Sequence, residues 1–168
     1  MRGWLLDTNV VSELRRPKPD SKVINFIAAQ PGEALFVTDV TLAEITYGIE
    51  QLGDAARRTD LHLWLERNLR PLFAGRILAI TEDVIVRWKT MVVEGQKRGH
   101  RFGQPDLFIA AIASVQDLVV VSRDVSEFVE ANVIVFDPWA SVLHVSGRKS
   151  TLRAPVTVEV VTKAISMS

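Results

Sequence analysis

Cysteine is absent from all 168 residues, which removes disulfides, thiolate zinc sites and cysteine nucleophiles from consideration. No apolar run approaches the roughly 20 residues needed to cross a bilayer. The opening MRGWLLDTNV reaches an acid at position 7 without the long apolar stretch of a secretory signal. A cytoplasmic location with no membrane partner is therefore expected. Also missing are a GxSxG elbow, a Walker A loop, a GxGxxG turn and an HExxH helix. Hydrolase triads, P-loop NTPases, dinucleotide folds and zincins thus lose their sequence support. His62, His100 and His144 lack metal-ligand spacing, and no internal repeat or low-complexity tract occurs.

Excess charge of one sign is missing too, since Lys and Arg balance Asp and Glu. The balance is local rather than uniform. Residues 1–140 carry 16 basic against 19 acidic side chains, and residues 141–168 carry four against one. Basic clusters stand at Arg15, Arg16 and Lys18, and at Lys97, Arg98, His100 and Arg101. A hydrophobic content of 48% over this length supports one main domain with a substantial core.

Short apolar runs alternate with amphipathic stretches, the pattern of a parallel α/β sheet. Strands are expected at Gly3–Asp7, Ala34–Thr38, Arg76–Ile80, Leu118–Ser122 and Val133–Phe136. Helices are expected over Asn9–Arg15, Asp20–Gln30, Asp39–Leu52, Ala55–Leu69, Glu82–Glu94 and Pro105–Val115. After Trp139 the character changes: STLRAP reads as loop and VTVEVV alternates like a strand. Residues 141–168 are therefore expected to form an appendage that packs on the body or on a partner.

Four acids recur where a predicted strand ends or the next helix begins: Asp7 in LLDTN, Glu44 in TLAEITYGIE, Asp106 in GQPDLFIAA and Asp124 in VVVSRD. Each has a bland explanation taken singly. Asp7 can cap the next helix, Glu44 stands at capping-box spacing from Thr41, and Asp106 suits a helix dipole. Asp124 can cap the Val125–Ala131 segment, with Glu127 completing a box. Together they are harder to explain, because parallel strands end on one side, where open α/β folds form their ligand crevice. Clustered carboxylates repel unless a cation lies among them. A Mg²⁺ or Mn²⁺ site that handles phosphates is the economical reading.

At these residues the chain resembles PIN-domain proteins, specifically the VapC-type toxins of bacterial toxin–antitoxin pairs. The matching segments are LLDTNVVSEL, VTLAEITYGIEQL, GQPDLFIAAIA, VVVSRDVSEF and VIVFDPW, in family order across residues 4–139. The resemblance implies a PIN-like three-layer α/β fold over residues 1–140, with a central parallel sheet of four to five strands flanked by helices. It implies a metal-dependent endoribonuclease, with Asp7, Glu44, Asp106 and Asp124 as catalytic and metal-binding acids and Glu127 as the alternative fourth. Thr8, Asn9 and Ser122 match small polar positions that orient carboxylates or water. It further implies a homodimer, silenced by a small antitoxin whose tail crosses the acidic groove.

In the expected mechanism Asp7 and Asp106 hold the ion directly, while Glu44 and Asp124 act through water or hold a second ion. Arg15, Arg16, Lys97, Arg98 and Arg101 are expected to contact RNA phosphates. In-line attack by water leaves a 5′-phosphate and a 3′-hydroxyl, whereas a route through the RNA 2′-hydroxyl leaves a cyclic phosphate. The main alternative is a regulatory module that acts through an antitoxin complex on operator DNA with little turnover. A phosphatase is disfavoured because DTN lacks a second aspartate, and a flap nuclease because the chain is short. An inert scaffold with well-capped helices is the remaining alternative.

Overall fold

The computed structural model describes residues 1–167. One seven-stranded sheet organises them, in the order β3-β2-β1-β4-β5-β6-β7. Strands β1 (Gly3–Leu6), β2 (Leu35–Thr38), β3 (Ile77–Leu78), β4 (Leu118–Val121) and β5 (Val135–Asp137) are parallel. Strands β6 (Val142–Val145) and β7 (Arg148–Thr151) add an antiparallel hairpin beyond β5. The five parallel strands match expectation. The hairpin enlarges the sheet to seven, because Val142–Val145 extends the ladder directly from Val135–Asp137.

Strand composition explains the two buried faces. In β1, Trp4 and Leu6 join one core cluster while Leu5 joins the other, as a period of two requires. The same split separates Val119 and Val121 from Leu118 and Val120 in β4. Every residue of β1, β2 and β4 is buried, as expected of parallel strands covered on both sides. Gly3 is required by close approach: a Cβ there would lie 2.4 Å from the Ala34 carbonyl oxygen.

Helices α1 (Thr8–Glu13), α2 (Ser21–Ala28), α3 (Asp39–Glu50) and α4 (Ala55–Trp64) follow the first two strands. A π-helical stretch, Leu65–Leu69, continues α4 into the short α5 (Arg70–Leu72) and buries Leu65 and Leu69. On the opposite face, α6 (Glu82–Lys97), α7 (Asp106–Gln116) and α8 (Ser126–Glu130) supply Val84, Met91, Ile109, Ile112 and Phe128.

The final element corrects an expectation. Residues Val158–Ser166 form helix α9 rather than a strand. The Thr157 side chain accepts from the Val160 N–H and caps it. Val158, Val161 and Ile165, at helical spacing, meet the core that contains Trp4. The short VTVEVV window satisfies both periods, and the cap decides. Ser150 and Thr151, expected in a loop, belong to β7.

Candidate active site

The chain runs from β1 outward through β2 to β3 and then returns to β4 on the other side of β1. The strand order therefore reverses between β1 and β4, and a crevice opens outside their carboxyl ends. Asp7 follows β1 there and Ser122 follows β4.

Asp7 is nearly inaccessible, at 5% exposure. Its Oδ1 accepts from the Thr8 N–H at 2.8 Å, so it does cap α1 as its bland reading holds. Its Oδ2 accepts from the Ser122 hydroxyl at 2.7 Å, with Asn9 Nδ2 at 3.4 Å. Asn9 Nδ2 also donates to Ser122 Oγ at 3.0 Å, while its Oδ1 accepts from the Arg123 N–H at 3.3 Å. The three polar residues thus hold one carboxylate in a fixed orientation.

Glu44, on α3, accepts from the Thr8 hydroxyl at 2.8 Å, and Thr41 Oγ1 lies 3.4 Å from the same hydroxyl. The capping-box reading of Thr41 and Glu44 fails, because Thr38 is the cap and its hydroxyl accepts from the Thr41 N–H. Freed from the cap, Glu44 faces α1. Asp124 is not a cap either: Val125 precedes α8 without a side-chain bond. Asp106 opens α7 after Pro105.

Electrostatics tie these acids together. Burial pushes the Asp7 carboxyl up to about 6; hydrogen bonds from Ser122 and Thr8 oppose the rise, and the charges of Glu44 and Asp124 add to it. Asp106 is likewise pushed up to about 6, first by burial and then by Asp7, Asp124 and Glu127. Glu44 is raised by burial and by Asp106, against its bond from Thr8. Asp106 is thus the acid whose charge interactions link it to each of the other four.

They do not form a finished cage. Among the described residues, no three His, Asp or Glu side chains are drawn into a ready-made metal-ligand group. Mg²⁺ usually takes one or two carboxylates and keeps several waters, so an open, hard-oxygen donor set of this kind fits it. Glu127 is partly committed, since its Oε2 accepts from the Gly103 N–H at 3.1 Å and lies 3.6 Å from His100 Nε2.

The basic residues divide. Arg15 and Arg16 line a groove of about 350 Å³ with Thr8, Glu44, Arg57 and Trp64. Arg16 also lies 3.4 Å from Glu13. Arg98 donates to the Glu130 carbonyl at 2.6 Å, Lys97 ends α6, and Arg101 lines a separate hollow with Trp88 and His100. The five expected phosphate contacts are not one cluster. Arg57 and Thr41 were not singled out by sequence. Arg57 lies on a helix far along the chain, and Thr41 looked like a cap.

Comparison with known proteins agrees with this fold. Residues 4–133 match the PIN domain. The chain belongs to the PIN-domain family. It is 36% identical to Toxin FitB of Neisseria gonorrhoeae over 80% of this chain and 97% of that protein. It is 34% identical to VapC ribonuclease Y4jK of Sinorhizobium fredii, covering 80% and 96%. Among solved structures, FitAcB from Neisseria gonorrhoeae superposes with a TM-score of 0.77 at 36% identity, covering 81% and 98%. FitAB bound to an IR36 DNA fragment gives 0.76 at 34% identity, covering 81% and 95%. The PIN domain thus accounts for the three-layer arrangement. Residues 142–166, which hold the hairpin and α9, lie outside the family match.

Proposed function

We propose that this PIN-domain chain is a divalent-metal-dependent endoribonuclease, acting as the toxin of a toxin–antitoxin pair. The observation that carries the proposal is the gathering of Asp7, Glu44, Asp106 and Asp124 at the switch point, where burial first and neighbouring carboxylates second push Asp7 and Asp106 up to about 6. Carboxylates raised by burial and by the charge of neighbouring acids are the groups a bound cation relieves. The ribonuclease name of a relative at 34% identity supports the choice of RNA.

Asp7 and Asp106 are assigned to hold Mg²⁺, or Mn²⁺ in its place, with Glu44 and Asp124 acting through water. Glu127 is assigned to the loop it already ties through Gly103, which leaves Asp124 as the fourth acid. Such a cation, when bound, makes water more nucleophilic and offsets charge on the phosphate and the leaving oxygen. The chain's own residues do the positioning. Ser122 and Asn9 fix Oδ2 of Asp7, and Thr8 couples Glu44 to the start of α1. Above about pH 6 Asp7 and Asp106 are ionised and ready to bind a cation.

Arg15 and Arg16, beside Glu44, are assigned to RNA phosphates near the cut, and Lys97, Arg98 and Arg101 to a peripheral share. A small antitoxin that places an arginine among the carboxylates would silence the site, and a homodimer is the expected assembly. Among the described residues no helix is long and apolar enough to cross a membrane, and the proposed substrate is cytoplasmic RNA.

The test is to incubate antitoxin-free protein with total RNA in Mg²⁺, Mn²⁺ or EDTA, beside Asp7→Asn. Discrete metal-dependent cuts bearing 5′-phosphates, absent in the variant, are expected. Cuts that persist in EDTA and end in cyclic phosphates contradict the mechanism. A second reading, a regulatory module on operator DNA, is favoured by the similarity to FitAB bound to DNA. It predicts tight DNA binding by the antitoxin complex and negligible turnover of any RNA.

A further inference from the structure

Two arginines near the acids rest on tryptophan rings rather than on carboxylates. Arg15, just beyond α1, holds its guanidinium carbon 5.6 Å from the Trp64 ring centre. Arg123, immediately after Ser122, lies 5.3 Å over Trp139. Both arginines are exposed, whereas both rings are half-buried and pack against the core cluster that contains Trp4. Among the described residues neither arginine forms an ion pair, although Asp124 is the next residue after Arg123.

Their placement follows from topology. In the sheet β1 lies between β2 and β4, so Asp7 has a neighbour on each side. Arg15 shares its groove with Thr8 and Glu44 on the α3 side, the helix that follows β2. Arg123 follows β4, and its N–H is bonded to Asn9. Arg15 therefore stands on the α3 side of Asp7, and the Arg123 backbone on the β4 side.

We propose that Arg15 and Arg123, each braced on a tryptophan, are two phosphate clamps that grip a single RNA strand on either side of the acids. The inference rests on the RNA reading above and extends it to residues and a geometry of binding. A strand drawn across five acids meets repulsion at the crevice, so attraction must come from its flanks. A guanidinium laid on an aromatic face keeps its charge and its planar donor fork, and it loses less freedom when it bonds a phosphate. Contacts of this kind position a strand without reading its bases. Trp64 and Trp139 act through the arginines and are positioning residues.

The experiment measures anisotropy of fluorescein-labelled single-stranded RNAs of several sequences across a salt series. The full chain is used in its Asp106→Asn form, so that binding is separated from cutting. Arg15→Ala and Arg123→Ala are expected to weaken every sequence by the same factor. Each is expected to lower the steepness of log affinity against log salt by about 0.7, and the double variant by about 1.4. Both positions are exposed, so the core is untouched. Arg→Lys at either site should restore the salt slope but only part of the affinity, because a lysine has no planar fork to brace. Trp64→Leu and Trp139→Leu should lower affinity with the slope retained. A double arginine variant with unchanged affinity and slope overturns the clamps, as does full rescue of affinity by lysine. Cleavage by the unsubstituted protein is scored separately. Cutting with an unchanged slope overturns the clamps and leaves the nuclease standing, whereas a reduced slope without cutting does the reverse.

Discussion

At the scale of single residues, Asp7 carries opposed demands. Its carboxyl rises from 3.8 to about 6 on folding, which corresponds to roughly 3 kcal/mol of strain on the ionised form. A group raised in the folded state stabilises the fold fully below its unfolded value and loses that contribution as pH rises through about 6. Metal-free protein should therefore lose stability, relative to Asp7→Asn, between about pH 4 and pH 6.5. Urea unfolding of the two proteins across that range checks this, and parallel curves would contradict it. At pH 7.5 millimolar Mg²⁺ should narrow the difference, since a ligand bound only by the folded state stabilises it. Ser122 tests the orientation of the same carboxylate. Ser122→Ala removes a 2.7 Å bond to Oδ2 and should lower RNA cleavage about 10- to 100-fold, as loss of a supporting partner commonly does. Ser122→Thr keeps the hydroxyl and should retain most of the rate.

At the scale of elements, the parallel strands were legible because each is a short apolar run between turn signals. Leu118–Ser122 could hardly be anything but a buried strand. Asp7 and Asp124 were legible for a related reason, since each closely follows a strand end, whereas Glu44 and Asp106 reach the site from helices α3 and α7. Pairings between distant segments were not legible. Thr8 to Glu44, Arg15 to Trp64 and Arg123 to Trp139 join residues whose contact depends on the packed fold. Helix α9 was misread because a six-residue apolar-polar alternation fits two periods and its cap, Thr157, looks like any strand threonine. Its place in the core can be tested. Val161 is fully buried beside the cluster that contains Trp4, so Val161→Ala should cost about 2 kcal/mol in urea unfolding. An unchanged midpoint would mean that α9 is not part of the cooperative unit. Gly3→Ala should also destabilise, by about 1–3 kcal/mol, because the new methyl would meet the fixed Ala34 carbonyl.

At the scale of the whole molecule, topology converts scattered acids into a site. The reversal of strand order between β1 and β4 opens the crevice, and α1, α3 and α7 bring Glu44 and Asp106 to it beside Asp7 and Asp124. The hairpin extends the sheet and α9 adds to its core, in the more basic part of the chain. Near-zero net charge is then a sum of unlike regions: repelling acids at the centre and braced arginines at the flanks. The central claim is that the crevice holds a divalent cation, and calorimetric titration of antitoxin-free protein with Mn²⁺ at pH 7.5 tests it most directly. Saturable binding by the unsubstituted chain, abolished in a folded Asp106→Asn variant and weakened at pH 5, is the predicted result. Equal heats from both proteins, or no binding by the unsubstituted chain at millimolar Mn²⁺, would contradict it.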